Sequence, residues 1–271
     1  MIKYILLPFL FCFSILNASV IEDKVEELIG NGEYKLHQNL IGLIFKDQNK
    51  FIINDKINYH RLLNELKLNG LLKLRLNKPK EILIEFKAVN KPVKAYKLLS
   101  DTMQGLGYRH FFTKTLSKTD DELVWKIIFK TEYMLNPLML LKELELKNCK
   151  VLDIKRDGLN HWTYEIDFKN AILSQSKKID KNEKVRFQKP LKPYFLKVDN
   201  ISSLQVNSKS LNSWHPNIVF FDKDLKILDV VQKNTISKRY KVDVPNGTEY
   251  IKITDLYNLI NIKRGLTVIV R

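Results

Sequence analysis

Cysteine is almost absent from this chain: Cys12 and Cys149 are the only two in 271 residues. Cys12 falls inside an N-terminal apolar run, and Phe11 stands where a lipoprotein signal needs a small residue, so lipid attachment at Cys12 is excluded. Removing that run leaves Cys149 alone, which rules out an intramolecular disulfide in the remaining chain. Its position at the end of an amphipathic segment reads as a buried structural thiol. Glycine (9) and proline (8) are also few. Neither a P-loop nor Gly-x-Gly-x-x-Gly occurs, and Gly105-Leu106-Gly107 lacks the third glycine. The five histidines (His37, His60, His110, His161, His215) have no His-x-x-x-His spacing and no zinc-protease glutamate, so no metal or cofactor is expected.

Long hydrophobic runs are missing too. Tyr4 to Leu16 is the longest, too short to span a bilayer. With Lys3 before it and Leu16-Asn17-Ala18 after it, this run reads as a secretory signal cleaved after Ala18. An uncleaved N-terminal anchor is the other reading. The expected mature protein is exported, periplasmic or secreted, without a transmembrane segment.

Acid is short relative to base. Lys and Arg number 46 against 30 Asp and Glu, a formal charge of +16. For an exported chain this argues against nucleic acid and toward anionic glycans, membrane headgroups or acidic protein surfaces. A Lys- and Asn-rich composition with solvated lysines accounts for the charge equally well.

What the chain does have is recurrence. Val93 to Leu106 places Leu98, Leu99, Met103 and Leu106 at helical spacing. An extended run, Arg109 to Thr115, and a strand, Leu123 to Thr131, follow it. Trp125, Ile127 and Phe129 alternate there with Lys126 and Lys130. Before this unit, Tyr59 to Leu68 reads as a helix, with Leu71–Leu76 and Ile82–Lys87 as a hairpin. After it, a helix starts at Pro137, and Val151–Arg156 and Trp162–Lys169 read as strands. Leu62, Leu98 and Leu140 open the three frames; Phe86, Phe129 and Phe168 close them, each before a lysine. A fainter copy precedes them, with Val25–Ile29 as helix, Ile41, Leu43 and Phe45 as strand, and a further strand at Phe51–Ile53.

The expected fold class is therefore α+β: tandem helix–strand–strand repeats followed by a small all-β sandwich. The expected divisions are a signal peptide (1–18), a divergent first repeat (19–56), tandem repeats (57–169), a basic linker (170–193) and the β-module (194–271). In the last, Asn217–Phe221 and Leu225–Val231 read as a hairpin through Asp222-Lys223-Asp224, an ordinary turn rather than a calcium loop. Tyr240–Val244 and Glu249–Thr254 read as a second, through Asn246-Gly247. The linker reads as a solvated tether or as a binding stripe for a polyanion. Ser174-Gln175-Ser176-Lys177 matches Ser-x-x-Lys, but a tether lacks the rigid, desolvated setting a nucleophile needs.

The helix–strand–strand units resemble the small periplasmic modules of the POTRA and ring-building type. The resemblance covers about Tyr59 to Lys169 and lies in element order. It implies helices on one face of short sheets and a role in assembly. Two successive units completing one ferredoxin-like sheet is the other arrangement. The function this favours is a non-catalytic adaptor of an envelope machine, such as a flagellar motor accessory or a secretion or assembly apparatus. Its partner surface would be the polar strand face: Lys126, Lys130, Glu165 and Lys169. Competing readings are a glycan- or peptidoglycan-binding protein, with Trp214 and His215 as sugar contacts, and an enzyme with a dispersed site.

Overall fold

A computed structural model describes residues 12–173 and 176–271, with side chains from Val20 onward. Most of the expected leader, and Ser174 and Gln175 of the Ser-x-x-Lys match, lie outside the described residues. The protein is mixed α+β and divides into two compact units, one running through Ile172 and the other from Leu173 to Arg271. Among the described residues no helix is long and apolar enough to cross a membrane.

The first unit begins with α1 (Cys12–Ile29), α2 (Asn31–Leu36) and α3 (Gln38–Ile44), then a short 3-10 turn and a small ladder of β1 (Ile52–Ile53) with β2 (Lys56–Ile57). The main body is α4 (Tyr59–Leu68), β3 (Arg75–Val89), α5 (Pro92–Gly105), β4 (Phe112–Lys118), β5 (Glu122–Tyr133), α6 (Pro137–Glu145), β6 (Lys150–Asp157) and β7 (His161–Asp167). Local chemistry explains the helix ends. The Asn58 side chain accepts from the Arg61 amide at 3.1 Å, and Asn136 accepts from the Leu138 amide at 3.0 Å with Pro137 in the first turn. Gly107, at φ 94°, closes α5 and lets the Tyr108 amide reach the Met103 carbonyl at 2.9 Å.

Five strands form one sheet in the order β4-β5-β3-β7-β6. The central β3 runs antiparallel to β5 and parallel to β7. Trp125, Ile127 and Phe129 of β5, and Trp162, Tyr164 and Ile166 of β7, are buried against the helices with Leu62, Leu98, Leu99 and Leu140. An aromatic row crosses the sheet on that side. Phe86 lies 5.6 Å from Trp125 and 5.8 Å from Tyr164, and Tyr164 stacks on Trp162. These large rings dominate the core of the unit.

Two expectations fail here. Leu71–Leu76 and Ile82–Lys87 are not a hairpin, because β3 is one strand through Asn77-Lys78-Pro79. Pro79 cannot donate to the ladder, so the pairing skips from Arg75 opposite Tyr133 to Lys80 opposite Thr131, and the strand continues. Ile41 and Leu43 lie in α3 rather than in a strand, and Phe45 caps the end of that helix, its amide donating to the Ile41 carbonyl. Ile41 and Phe45, one turn apart, are buried, while Leu43 is exposed.

The second unit is built of strands: β8 (Lys177–Lys178), β9 (Lys184–Arg186), β10 (Tyr194–Lys197), β11 (Ser203–Ser208), β12 (Pro216–Phe221), β13 (Ile227–Gln232), β14 (Arg239–Asp243), β15 (Tyr250–Asp255) and β16 (Leu266–Val270). One sheet has the order β13-β12-β15-β10-β8, the other β14-β11-β16-β9. Leu196, Ile218, Phe220 and Ile253 of the first sheet share one buried cluster with Leu204, Val206 and Val268 of the second.

The segment 170–193, expected as a basic linker, instead supplies β8 to one sheet and β9 to the other. Ile179 between them is buried in the shared core. Its lysines hide the fact that every few residues an apolar side chain (Ile179, Val185, Phe187) turns inward. Tyr240–Val244 and Glu249–Thr254 are not a hairpin either: β14 pairs β11, whereas β15 pairs β10 and β12. Pro245–Thr248 carries the chain between sheets. The β12–β13 hairpin does form, with the Asp222 carboxylate accepting from the amides of Asp224 and Lys226, each at 2.8 Å.

Candidate functional site

Because α4, α5 and α6 bury one side of the first unit's sheet, the alternate residues of each strand point away from them. Reading across β5, β3 and β7 by register, one row holds Lys126, Glu85 and Thr163, and the next holds Val124, Lys87 and Glu165. Glu85 is at the centre. It is 7 % exposed and still carries its carboxylate 3.2 Å from the Lys126 ammonium, with Lys87 at 3.9 Å and His161 at 3.8 Å. His161 also faces Asp157 at 3.7 Å. An acid so nearly buried on a polar face is held by the two lysine ammonium groups beside it.

Lys126, Lys130 and Glu165 thus share this face. Lys130 is exposed, opposite Glu81 in register, and Glu165 is half-buried beside Lys87. Lys169 stands apart, exposed beyond the end of β7, where its amide donates to the Asp167 carboxylate at 2.8 Å. The central Glu85 is the residue that sequence reasoning missed. Its one signal was a charge between Ile84 and Phe86, and only the strand register reveals three basic neighbours.

The sheet's two edges differ. Along β6, α1 packs closely: the Leu28 carbonyl accepts from the Arg156 guanidinium at 2.9 Å, and Lys24 reaches the Asp153 carboxylate at 3.0 Å. Every residue of β4, on the opposite edge, is exposed. Where β4 begins, Glu81, Arg109, Phe111, Phe112, Ile128 and Lys130 line a groove of about 350 Å³.

In the second unit, Trp214 is fully buried and its indole N–H donates to the Thr254 carbonyl at 2.9 Å. It is a core residue, not a sugar platform; a proline two positions on made it look like a loop aromatic. His215 is half-buried, 3.4 Å from the Asp255 carboxylate and edge-on to Tyr257. Asp255 is buried, which alone raises its pKa, but amides of His215, Asn258 and Tyr257 and the Asn261 side chain donate to it and hold it below the usual value. That set of bonds pins the turn after β15. Among the described residues no group of three or more His, Cys, Asp or Glu is placed to hold a metal ion.

No protein-family model and no curated protein matches the chain. Among solved structures, a novel beta-glucosidase from Paenibacillus barengoltzii is similar at 15% identity and a TM-score of 0.19. The match covers 35% of this chain and 11% of that enzyme, and a likeness of that size carries no argument about fold or function.

Proposed function

We propose that this protein is an exported, non-catalytic adaptor that binds a component of a cell-envelope machine, such as a flagellar motor accessory or a secretion or assembly apparatus. In this reading the first unit serves as a POTRA-like assembly module made of helix–strand–strand repeats. The second unit, a β-sandwich, serves as a rigid companion module. The observation that carries the proposal is the polar sheet face, where Lys126, Lys87 and His161 surround Glu85 and Lys130 and Glu165 lie alongside. A face of alternating charge opposite a helix-covered core suits reversible recognition, because complementary charge raises encounter rates and rejects mismatched partners. The glycan reading has lost its aromatic ring with the burial of Trp214.

The test is capture from an envelope fraction with the unaltered chain and with a variant carrying Lys126→Glu, Lys130→Glu and Glu165→Lys. Machine components retained by the first and lost by the second support the adaptor. Equal recovery with both, or retention on peptidoglycan instead, overturns it. Export has its own check: mass spectrometry of the envelope protein should find Ser19 first, and an intact Met1 would refute cleavage.

A further inference from the structure

We propose that the groove at the start of β4 is a docking site for an extended protein segment that combines an apolar anchor side chain with flanking carboxylates. This deepens the adaptor reading and rests on it. Three observations converge on this corner of the first unit.

The first is Phe112. It is 77 % exposed, and among the described residues it is the only exposed phenylalanine. Its partner across the ladder, Ile128, is half-buried, so the two give the groove an apolar floor. Phe111, the neighbour on the other side, turns inward and packs edge-on against Trp125 at 5.5 Å. The chain therefore anchors one ring in the core and holds the next one outside.

The second is charge. Arg109 and Lys130 flank the floor, Lys114 follows on β4, and Glu81 is the one acid among the groove's residues. None of Arg109, Lys114 and Lys130 takes part in an ion pair among the described residues. A ligand that brings carboxylates completes these cations, and a basic ligand is repelled.

The third is the edge itself. The register slips at Lys114, which bulges out of the β4–β5 ladder, and Lys118 closes the strand. Bulges and edge lysines discourage a partner strand from continuing the sheet. Recognition here falls to side chains, with the ring of Phe112 as anchor and the cations as rim.

The experiment is fluorescence anisotropy with the full chain and three probes. They are a labelled peptide alternating glutamate and valine around one leucine, labelled polyglutamate of equal charge, and labelled polygalacturonate. The alternating peptide should bind best, and its affinity should fall about tenfold with Phe112→Ala and again with Arg109→Glu plus Lys130→Glu. Both sites are exposed, and thermal melts of the variants should match that of the unaltered chain. Equal binding of polyglutamate means general attraction to charge, and equal binding of polygalacturonate means a polysaccharide surface; either overturns the groove. So does an affinity indifferent to Phe112. Envelope capture run in parallel separates the two proposals. Partner recovery that survives Phe112→Ala leaves the adaptor standing and sinks the groove. Specific peptide binding by a chain that captures nothing from the envelope leaves the groove standing and sinks the adaptor.

Discussion

The hydroxyl of Tyr59, in the first turn of α4, donates to the Asp153 carboxylate at the bulge in β6. Lys24 of α1 reaches the same oxygen at 3.0 Å, so one carboxylate ties two helices to an edge strand. Without this tie, α1 would rest on β6 through the apolar contacts of Ile21, Val25 and Leu28 and the Arg156 bond to the Leu28 carbonyl at its far end. Apolar contact tolerates sliding; the Asp153 bonds, together with Arg156, set the register.

The pH dependence follows. Burial raises the Asp153 pKa, but the hydrogen bonds from Tyr59 and Lys24 and the positive charges of Lys24 and Lys155 outweigh it and hold it below the ordinary 3.8. A depressed carboxylate contributes stability that is present above its unfolded pKa and lost as pH falls through the folded value. Asp153→Asn should therefore cost about 1.5–3 kcal/mol at neutral pH and much less near about pH 2. Urea unfolding at both pH values measures this, and an equal cost at both would remove the carboxylate from the account.

The facing of β5 gives a second expectation. Phe129 is buried, 5.3 Å from the Tyr108 ring, whereas Lys130 is exposed. Phe129→Ala should cost about 3–5 kcal/mol and Lys130→Ala under about 0.5 kcal/mol. Chemical denaturation giving the two the same effect would mean that the strand faces the other way.

Strand β5 was legible because one of its faces is buried, which forces Trp125, Ile127 and Phe129 to alternate with polar residues. Helices α4, α5 and α6 were legible from leucine spacing for the same reason. What failed were features decided at long range. Asn77-Lys78-Pro79 carries the local chemistry of a turn, yet pairing to β5 on both sides carries the strand through it. Asn246-Gly247 signals a hairpin, but β14 and β15 find partners in different sheets. Ile41 and Phe45 fit a strand face and a helix face alike. The polar face was legible as Lys126, Lys130 and Glu165, while its centre, Glu85, was not. Neither was the exposure of Phe112, since nothing local distinguishes its ring from that of Phe111.

Trp214 supplies a third expectation, now on stability rather than sugar binding. Trp214→Phe would leave the Thr254 carbonyl without its indole donor in the core, at about 1–3 kcal/mol. Trp214→Ala adds a cavity and should cost about 3–5 kcal/mol. Guanidinium unfolding should rank the pair in that order. An alanine variant of unchanged stability would return the ring to the surface.

The boundary of the second unit can be tested by cutting it in two places. A fragment starting at Leu173 keeps β8 and β9; one starting at Tyr194 loses both. The lost segment is stitched into the sheets at several points. The Ile179 amide donates to the Lys197 carbonyl at 3.0 Å, the Phe187 amide to Leu266 at 2.8 Å, and the Tyr194 hydroxyl to the Gln188 carbonyl at 2.5 Å. Without it, β10 and β16 become bare edges and the core loses Ile179, Val185 and Phe187. The contact at Gly265 shows how tightly it fits. Its φ is +83°, and an added Cβ would lie 2.0 Å from the Phe187 carbonyl oxygen. Gly265→Ala should therefore destabilise the unit well beyond the roughly 1 kcal/mol of an ordinary glycine replacement, because backbone must move to admit the methyl. The longer fragment should unfold cooperatively and give a dispersed amide spectrum. The shorter should aggregate or remain unfolded, and trypsin should spare Lys184 and Arg186 in the intact protein until the unit opens. A Tyr194 fragment as stable as the Leu173 fragment would show that 173–193 is a tether after all.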